Sequence, residues 1–239
     1  MGKNLIQQKR GKGGPRWTAP SFKYAGRASH FRETEGKTMK AEVLDLITSP
    51  GHNAPLMSLK YETGQSGLLQ APEGIRVGDK IEMGQNPELK SGNILPLKNI
   101  PEGTSIYNIE SSPGDGGKFV RSGGGSAKIV TKNEDGILIE LPSHKRKLFR
   151  PDCKAVIGIV AGSGRTEKPY LKAGTHYFKM LAKNKLWPKV SGTSMNALSH
   201  PFGGRSSHAK GIPTQSARNS PPGRKVGKIA PKRTGRKKR

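Results

Sequence analysis

The sequence predicts an all-β protein in which two small β-barrels follow one another, with long basic extensions at both ends. Three observations support this fold class. Short apolar runs closed by turn residues recur between residues 40 and 161, and no segment there sustains a helical apolar period. Apolar residues make up only 31% of the 239 residues, which is thin for a single core. The net charge of +26 is concentrated in the two ends of the chain.

The charge division separates the extensions from the middle. Residues 1–40 carry 10 Lys or Arg against 2 Glu, and residues 168–239 carry 18 against no Asp or Glu. The middle, residues 41–167, holds 15 basic and 15 acidic residues. A segment with many cations, no carboxylates and few apolar groups repels itself and stays unfolded alone. The extensions therefore predict a polyanion, RNA or DNA, as the partner.

The N-terminal extension, residues 1–39, interleaves aromatic rings with cations. Its four aromatic residues are Trp17, Phe22, Tyr24 and Phe31. A ring can stack on an unpaired base, which is worth about 1–3 kcal/mol, or it can pack the extension onto the protein itself. The sequence leaves both roles open.

The two barrels are predicted from the spacing of short apolar runs. The first barrel, residues 40–90, is expected to contain strands at 41–48, 55–62, 67–71 and 77–83. The second barrel, residues 91–162, is expected to contain strands at 105–110, 127–131, 136–141, 147–150 and 155–161. Residues 84–92 connect the two sets. Strands this short give each barrel a modest core, in keeping with the limited apolar content.

The C-terminal extension, residues 163–239, consists largely of Gly, Ser, Pro and basic residues. One stretch, residues 175–186, is compatible with a short helix, and Pro188 would end it. We expect the rest to be extended.

Two Gly-rich loops, residues 112–118 and 161–166, invite a nucleotide-binding interpretation. Neither has the Gly-Lys-Ser/Thr spacing of a phosphate loop, and neither clearly joins a strand to a helix. A backbone that approaches RNA phosphates closely is the better interpretation. Cys153 is the only cysteine and the six histidines lack zinc-like pairing, so no metal site is predicted.

Catalysis and membrane insertion are not expected. His200 lies near several hydroxyls, but no Asp or Glu follows Glu167 to orient it. A contact to RNA suits this imidazole better. The sequence also lacks a signal peptide and any apolar run long enough to span a membrane.

Longer motifs resemble a known family. They include Ala-Pro-Glu-Gly at 71–74, Gly-Asn-Ile-Leu-Pro-Leu at 92–97, Asn-Ile-Glu-Ser-Ser-Pro-Gly-Asp-Gly-Gly-Lys-Phe at 108–119, His-Pro-Phe-Gly-Gly at 200–204 and Pro-Pro-Gly-Arg-Lys-Val-Gly at 221–227. On these residues the chain resembles universal ribosomal protein two of the large subunit, in its archaeal or eukaryote-like form. The resemblance is nearly full length and covers both barrels and both extensions.

The resemblance implies an OB-like barrel followed by an SH3-like barrel, with both extensions threaded into large-subunit ribosomal RNA close to the peptidyl-transferase region. It implies a cytoplasmic ribosomal component that is not an enzyme. Such a component orders the RNA and supports subunit association, tRNA binding and peptide-bond formation. Its partners would be ribosomal RNA, neighbouring large-subunit proteins and the small subunit, with no membrane. It would need no cofactor, and magnesium would be associated only with the RNA.

The chain departs from the family pattern around the histidine that the family places nearest the peptidyl-transferase region, here His200. An Asp commonly precedes this histidine, and Ser199 stands there instead. Ser191, Thr193 and Ser194 also replace family residues, Arg205 replaces a Gly, and His144 with Lys145 replaces a Gly-Glu turn. Loss of the Asp favours a structural RNA contact for His200 over a polarised imidazole.

The predicted site is an RNA-binding surface with no catalytic residue and no metal ligand. It comprises Lys9, Arg10, Lys12, Arg16, Trp17, Lys23, Arg27, Arg32, Lys118, Arg121, Arg165, Lys172, Lys179, His200, Arg205, Arg218, Arg224, Lys225, Lys232, Arg233 and Arg236. Two competing hypotheses remain at this stage. The extensions alone would also suit a DNA-architectural protein, and His200 could serve an enzyme. A preference for structured ribosomal RNA over duplex DNA, or turnover that depends on His200, would distinguish them.

Overall fold

The computed structural model describes residues 4–31, 38–204 and 212–233. Contacts between residues group the chain into two compact units. Unit 1 combines Met1–Pro20 with Leu171–Arg239, and unit 2 is Ser21–Tyr170. The predicted boundaries near residues 39, 90 and 162 stay predictions, since this grouping follows contacts and not barrels.

The regular secondary structure of unit 2 is mostly β-strand, which confirms the predicted all-β class. Its strands are β1 (Met39–Ile47), β2 (Leu56–Tyr61), β3 (Ser66–Gln70), β4 (Lys80–Met83), β5 (Ile94–Pro96), β6 (Ser105–Tyr107), β7 (Ala127–Asn133), β8 (Gly136–Glu140), β9 (Arg146–Phe149) and β10 (Lys154–Ile157). They form one ten-stranded sheet in the order β3-β2-β1-β4-β5-β10-β6-β7-β8-β9. Neighbouring strands are antiparallel, except that β4 and β5 pair in parallel.

The sheet encloses two apolar cores that share strands. Along β5, Ile94 packs into the first core and Leu95 into the second. On β6, Ile106 packs into the second core while Tyr107 packs into the first. Successive strand residues point to opposite faces, so a strand buried on both faces can serve two cores. The two cores are therefore physically joined through β5, β6 and β10.

All nine predicted strands are found, and their ends differ for local reasons. The strand predicted at 105–110 stops at Tyr107 because Asn108 has a φ of 47°. The strand predicted at 155–161 stops at Ile157 because Gly158 has a φ of 113°. Strand β5 was not predicted, since its three residues are all buried and show no alternation.

Unit 1 contains α1 (Ile6–Gly11), α2 (Ala173–Leu181) and a short parallel pair, β11 (Gln215–Ser216) with β12 (Lys228–Ile229). Helix α2 confirms a helix near the predicted 175–186, although it begins and ends earlier. The expectation that the remaining C-terminal residues are extended is wrong for the part that the structure describes. Leu5, Phe202 and Val226 form a buried cluster, with Ile212 packed against it.

No helix within residues 4–31, 38–204 and 212–233 is long and apolar enough to cross a membrane. The same ranges contain no group of three or more His, Cys, Asp or Glu side chains that could hold a metal ion.

Candidate nucleic-acid interface

Unit 1 carries most of the positive charge of the protein. Residues 1–20 and 171–239 contain 22 Lys or Arg and no Asp or Glu. No acidic side chain of unit 1 can therefore neutralise these cations, and their mutual repulsion opposes the compact state. A folded surface of this kind requires anions from outside the unit.

A small core nevertheless holds the two ends of the chain together in unit 1. Leu5, just before α1, is 7% exposed and packs with Phe202 and Val226, which are 6% and 5% exposed. The backbone N–H of Leu5 also bonds to the Oε1 atom of Gln8 at 2.8 Å, which satisfies one amide at the start of α1. Residues separated by about 200 positions in the sequence thus become neighbours.

The Ser216 hydroxyl joins β11 to the residues that precede β12. It donates to the carbonyl oxygens of Val226 at 2.6 Å and Arg224 at 3.1 Å, and it accepts from the backbone N–H of Val226 at 3.2 Å. Ser216 is 5% exposed, so water cannot replace these bonds freely.

Replacing Ser216 with alanine is expected to destabilise unit 1 by about 1–2 kcal/mol, because buried backbone groups lose their partner. Unfolding of unit 1 can be followed through tryptophan fluorescence in urea, since Trp17 and Trp187 are the only tryptophans and both belong to unit 1. Ser194→Ala, at an exposed position, is the matched control. Equal midpoints for the two variants would show that the Ser216 bonds contribute nothing.

His200 is held in one orientation by its own backbone neighbourhood. The backbone N–H of Phe202 donates to Nδ1 at 3.0 Å, which assigns the proton of a neutral ring to Nε2. The two rings are 5.1 Å apart, and the ring lies so close to Gly192 that a Cβ there would collide with it. Partial burial lowers the pKa of His200, which favours the neutral form. A backbone amide thus fixes the ring in place of the absent Asp.

Trp17 takes a packing role within unit 1. The guanidinium groups of Arg10 and Arg16 each lie 5.7 Å from the centre of its ring, and Trp17 is partly buried. It lines a small pocket with Tyr177 and Trp187. A guanidinium group that stacks on a ring still has N–H donors at its edge. Arg10 and Arg16 can therefore also bind phosphates.

The other aromatic residues of the N-terminal extension divide between the two roles left open by the sequence. Phe31 packs on Tyr61 with ring centres 4.4 Å apart, and the ring of Tyr24 covers Gly51. These two rings attach the extension to unit 2. Phe22 is 84% exposed, with the Lys23 ammonium 5.6 Å from its ring centre, and is free to stack on a base.

The predicted interface residues fall on both units. Those in unit 1 are Lys9, Arg10, Lys12, Arg16, Trp17, Lys172, Lys179, His200, Arg218, Arg224, Lys225, Lys232 and Arg233. Those in unit 2 are Lys23, Arg27, Lys118, Arg121 and Arg165. Arg32, Arg205 and Arg236 lie outside the described residues. The assignment of all of them to RNA stays a prediction.

Two of these arginines are engaged inside the protein. Arg121 is partly buried and donates to the carbonyl oxygens of Ala28 at 2.5 Å and Gly117 at 3.2 Å. Arg224 donates to the Ser216 hydroxyl at 3.4 Å and the Pro213 carbonyl at 3.3 Å. Their substitution would disturb the fold as well as any contact with RNA.

The loop at 112–118 does not offer its amides to phosphate. Glu110 accepts from the backbone N–H groups of Gly114 and Gly116 at 3.2 Å each. Asp115 accepts from those of Ser112 at 3.2 Å and Gly117 at 3.0 Å. The interpretation of this loop as a backbone cradle for RNA phosphates is therefore wrong for these four amides, because carboxylates of the protein already occupy them.

Sequence reasoning missed the apolar residues that give unit 1 a surface groove. Leu5, Val190 and Val226 line it, together with the cations Arg10 and Lys189. Isolated apolar residues in polar segments give no periodic signal, so only the folded arrangement brings them together.

Comparison with known proteins places this architecture in a family. The model for the C-terminal domain of ribosomal proteins L2 matches residues 90–224. The large ribosomal subunit protein uL2 of Methanocaldococcus jannaschii is 49% identical over 243 residues, covering 100% of both chains. The chain belongs to the L2 family of large ribosomal subunit proteins. The uL2 proteins of Halorubrum lacusprofundi and Methanopyrus kandleri are each 47% identical and cover 99% of this chain and 98% of their own.

Membership in the L2 family confirms the resemblance drawn from the motifs, including its archaeal character. The β architecture of unit 2 agrees with an OB-like barrel followed by an SH3-like barrel. L2 family members are structural constituents of the large ribosomal subunit, which confirms the prediction that the chain is not an enzyme. These relatives are named as proteins of the large ribosomal subunit.

Proposed function

We propose that this chain binds and orders large-subunit ribosomal RNA near the peptidyl-transferase region, and so supports subunit association, tRNA binding and peptide-bond formation. The observation that carries the proposal is unit 1, whose 22 Lys and Arg have no acidic side chain within the unit. Phosphates supply the missing counter-charge. Magnesium ions would sit on the RNA, since unit 1 offers no carboxylate to hold them.

The division of labour between the units supports this mechanism. Unit 2 carries the two larger buried cores and all the acidic residues, so we expect it to fold without RNA. Unit 1 carries exposed cations on α1 and on the C-terminal segment, among them Lys9, Lys12, Arg218 and Lys232. Contacts from such side chains position the protein on the RNA backbone without reading its sequence. Neutral His200 and exposed Phe22 add groups that suit unpaired bases.

Changing Lys9, Lys12, Arg218 and Lys232 together to Gln is expected to reduce the salt dependence of RNA binding. Each lost phosphate contact lowers the slope of log K against log salt by roughly 0.7–0.9, so the slope should fall by about 3. Binding to a large-subunit RNA fragment that contains the peptidyl-transferase region can be measured between 50 and 200 mM salt.

The matched control changes four exposed lysines of unit 2, Lys60, Lys80, Lys90 and Lys128, to Gln. The control removes the same charge and should change the slope by less than half as much. Equal slopes for both variants would show that unit 1 is not the RNA-binding element. Chemical footprinting on the assembled subunit locates the contact, and protection confined to RNA far from the peptidyl-transferase region would contradict the proposed location.

A further inference from the structure

A groove in unit 1 combines an apolar lining with cations at its edge. It encloses about 410 Å³ between α1 and the C-terminal segment. Sites that bind small molecules enclose roughly 300–1,000 Å³. Ile6 and Val190 supply exposed apolar surface, at 40% and 59% exposure, and the partly buried Leu186 and the buried Leu5 and Val226 complete the apolar lining. An apolar surface left open in so polar a segment indicates a binding site.

The polar groups of the groove determine what can occupy it. Arg10 and Lys189 line it and are exposed, and His200 lines it as a neutral ring whose Nδ1 is already bonded to the Phe202 amide. The Nε2–H of His200 therefore remains as a donor. Because unit 1 contains no carboxylate, an anionic occupant is favoured and a cationic one is repelled.

We propose that this groove receives one unpaired nucleotide of the ribosomal RNA, with the base on the apolar lining and its phosphate beside Arg10 and Lys189. A nucleobase has a flat apolar face and a polar edge, and it is tied to a phosphate. The groove offers an apolar lining for the face of the base, the Nε2–H of His200 for its polar edge, and Arg10 and Lys189 for the phosphate. The inference rests on the proposed function and names the form of RNA that this site recognises.

A second, adjoining depression offers a path for the flanking nucleotides. It encloses about 280 Å³ and shares Leu5 and His200 with the groove. Its further lining includes the amides of Asn4 and Gln8 and the backbone of Gly223. Groups of this kind hydrogen-bond to sugar and phosphate oxygens without selecting a base. His200 lies where the two depressions meet and can contact the base edge or the sugar.

The test uses the full-length protein and a fluorescein-labelled single-stranded hexaribonucleotide with one central 4-thiouridine. Irradiation joins this base to the residue that it touches, and mass spectrometry identifies the peptide. We expect the crosslink between residues 186 and 200. Ser199→Leu, which narrows the groove at an exposed residue of its lining, should reduce the crosslink yield at least fivefold. Ser194→Leu, exposed and outside the groove, should not.

Fluorescence anisotropy of the same oligonucleotide separates this inference from the proposed function. Ser194→Leu keeps every cation and lies outside the groove, so its affinity should stay within twofold of that of the unmodified protein. Ser199→Leu also keeps every cation, so it should lose affinity only through the groove. Unchanged affinity with crosslinks scattered over other peptides, or with equal yields in the two variants, would overturn the groove assignment alone. Failure of the unmodified protein to bind the oligonucleotide even at low salt would count against the proposed function itself.

Discussion

Replacing Glu110 with alanine is expected to lower the free energy of unfolding of unit 2 by about 3–5 kcal/mol. Glu110 is 1% exposed, and its two oxygens accept from the backbone N–H groups of Gly114, Gly116 and Lys154 at 3.2, 3.2 and 2.9 Å. Alanine would leave three donors without this acceptor, and the donor of Gly116 is buried while those of Gly114 and Lys154 are partly buried. The loss should appear as a lower urea midpoint in the far-ultraviolet circular dichroism of the sheet.

Two further variants make the Glu110 experiment specific. Glu110→Gln keeps one carbonyl oxygen but turns an NH₂ group toward backbone donors. Its free energy of unfolding should therefore lie between those of the wild type and Glu110→Ala. Glu134→Ala removes an exposed carboxylate from the turn between β7 and β8 and should change stability by less than about 0.5 kcal/mol. A Glu110→Ala protein as stable as Glu134→Ala would show that the carboxylate does not hold the loop.

The protein is expected to lose about 2 kcal/mol of stability between pH 6.5 and 4.5 through His30 alone. Burial lowers the pKa of His30 from 6.5 to about 3. Both ring nitrogens are buried and make no hydrogen bond of normal geometry among the described residues, although the nearby Asn108 backbone offsets part of the lowering of the pKa, and a carboxylate oxygen of Glu110 lies 4.0 Å from Nδ1. The oxygens of Glu110 already accept three backbone N–H groups, so they offer little to a protonated ring.

Stability falls with decreasing pH because the unfolded state binds the proton of His30 more readily than the folded state does. The unfolded chain protonates His30 near pH 6.5, whereas the folded protein resists protonation until about pH 3. Well between these values the unfolded state holds one more proton, so stability falls by somewhat over 1 kcal/mol for each unit of decreasing pH, and near pH 6.5 by about half as much. About one unit above pH 6.5 both states have lost the proton, and the contribution of His30 no longer changes with pH.

His30→Leu isolates this effect because leucine cannot titrate and the backbone bond from residue 30 to the Gly116 carbonyl, 3.0 Å long, is retained. Urea unfolding at pH 6.5, 5.5 and 4.5 should show that the stability of this variant falls less steeply than that of the wild type, by about 1 kcal/mol per pH unit. His52, whose pKa is also lowered by partial burial, contributes equally to both proteins and cancels. Parallel slopes for the two proteins would contradict the burial of a neutral His30.

The strands and the separation of charge could be predicted from the sequence because both are local patterns. Alternating apolar residues marked β7 and β8 directly, and the absence of acids after Glu167 needed only counting. Strand ends were less accurate, since they depend on single backbone angles such as the positive φ of Asn108. Local sequence patterns therefore predict the fold class and the charge distribution, but they do not predict the exact ends of the strands.

The compact form of unit 1 could not be predicted, because its core joins distant single residues. Nothing around Leu5 or Val226 shows an apolar period, and their contact with Phe202 exists only after folding. The groove and the orientation of His200 depend on that contact, so sequence motifs could not predict either of them. The roles of Glu110 and Asp115 were hidden for a similar reason: the Gly-rich loop indicated open amides, and only the structure shows the carboxylates that fill them.

Unit 1 also sets an order of events for the chain as it is made. Leu5 leaves the translating ribosome early, but Phe202 and Val226, with which it packs, emerge some 200 residues later. At roughly 5–20 residues per second, the first helix waits on the order of ten seconds or more for its partners. During that interval the sheet of unit 2 can form, while α1, with Lys9 and Arg10, is not yet packed in unit 1. The core of unit 1 therefore forms late, after Phe202 and Val226 have been synthesised.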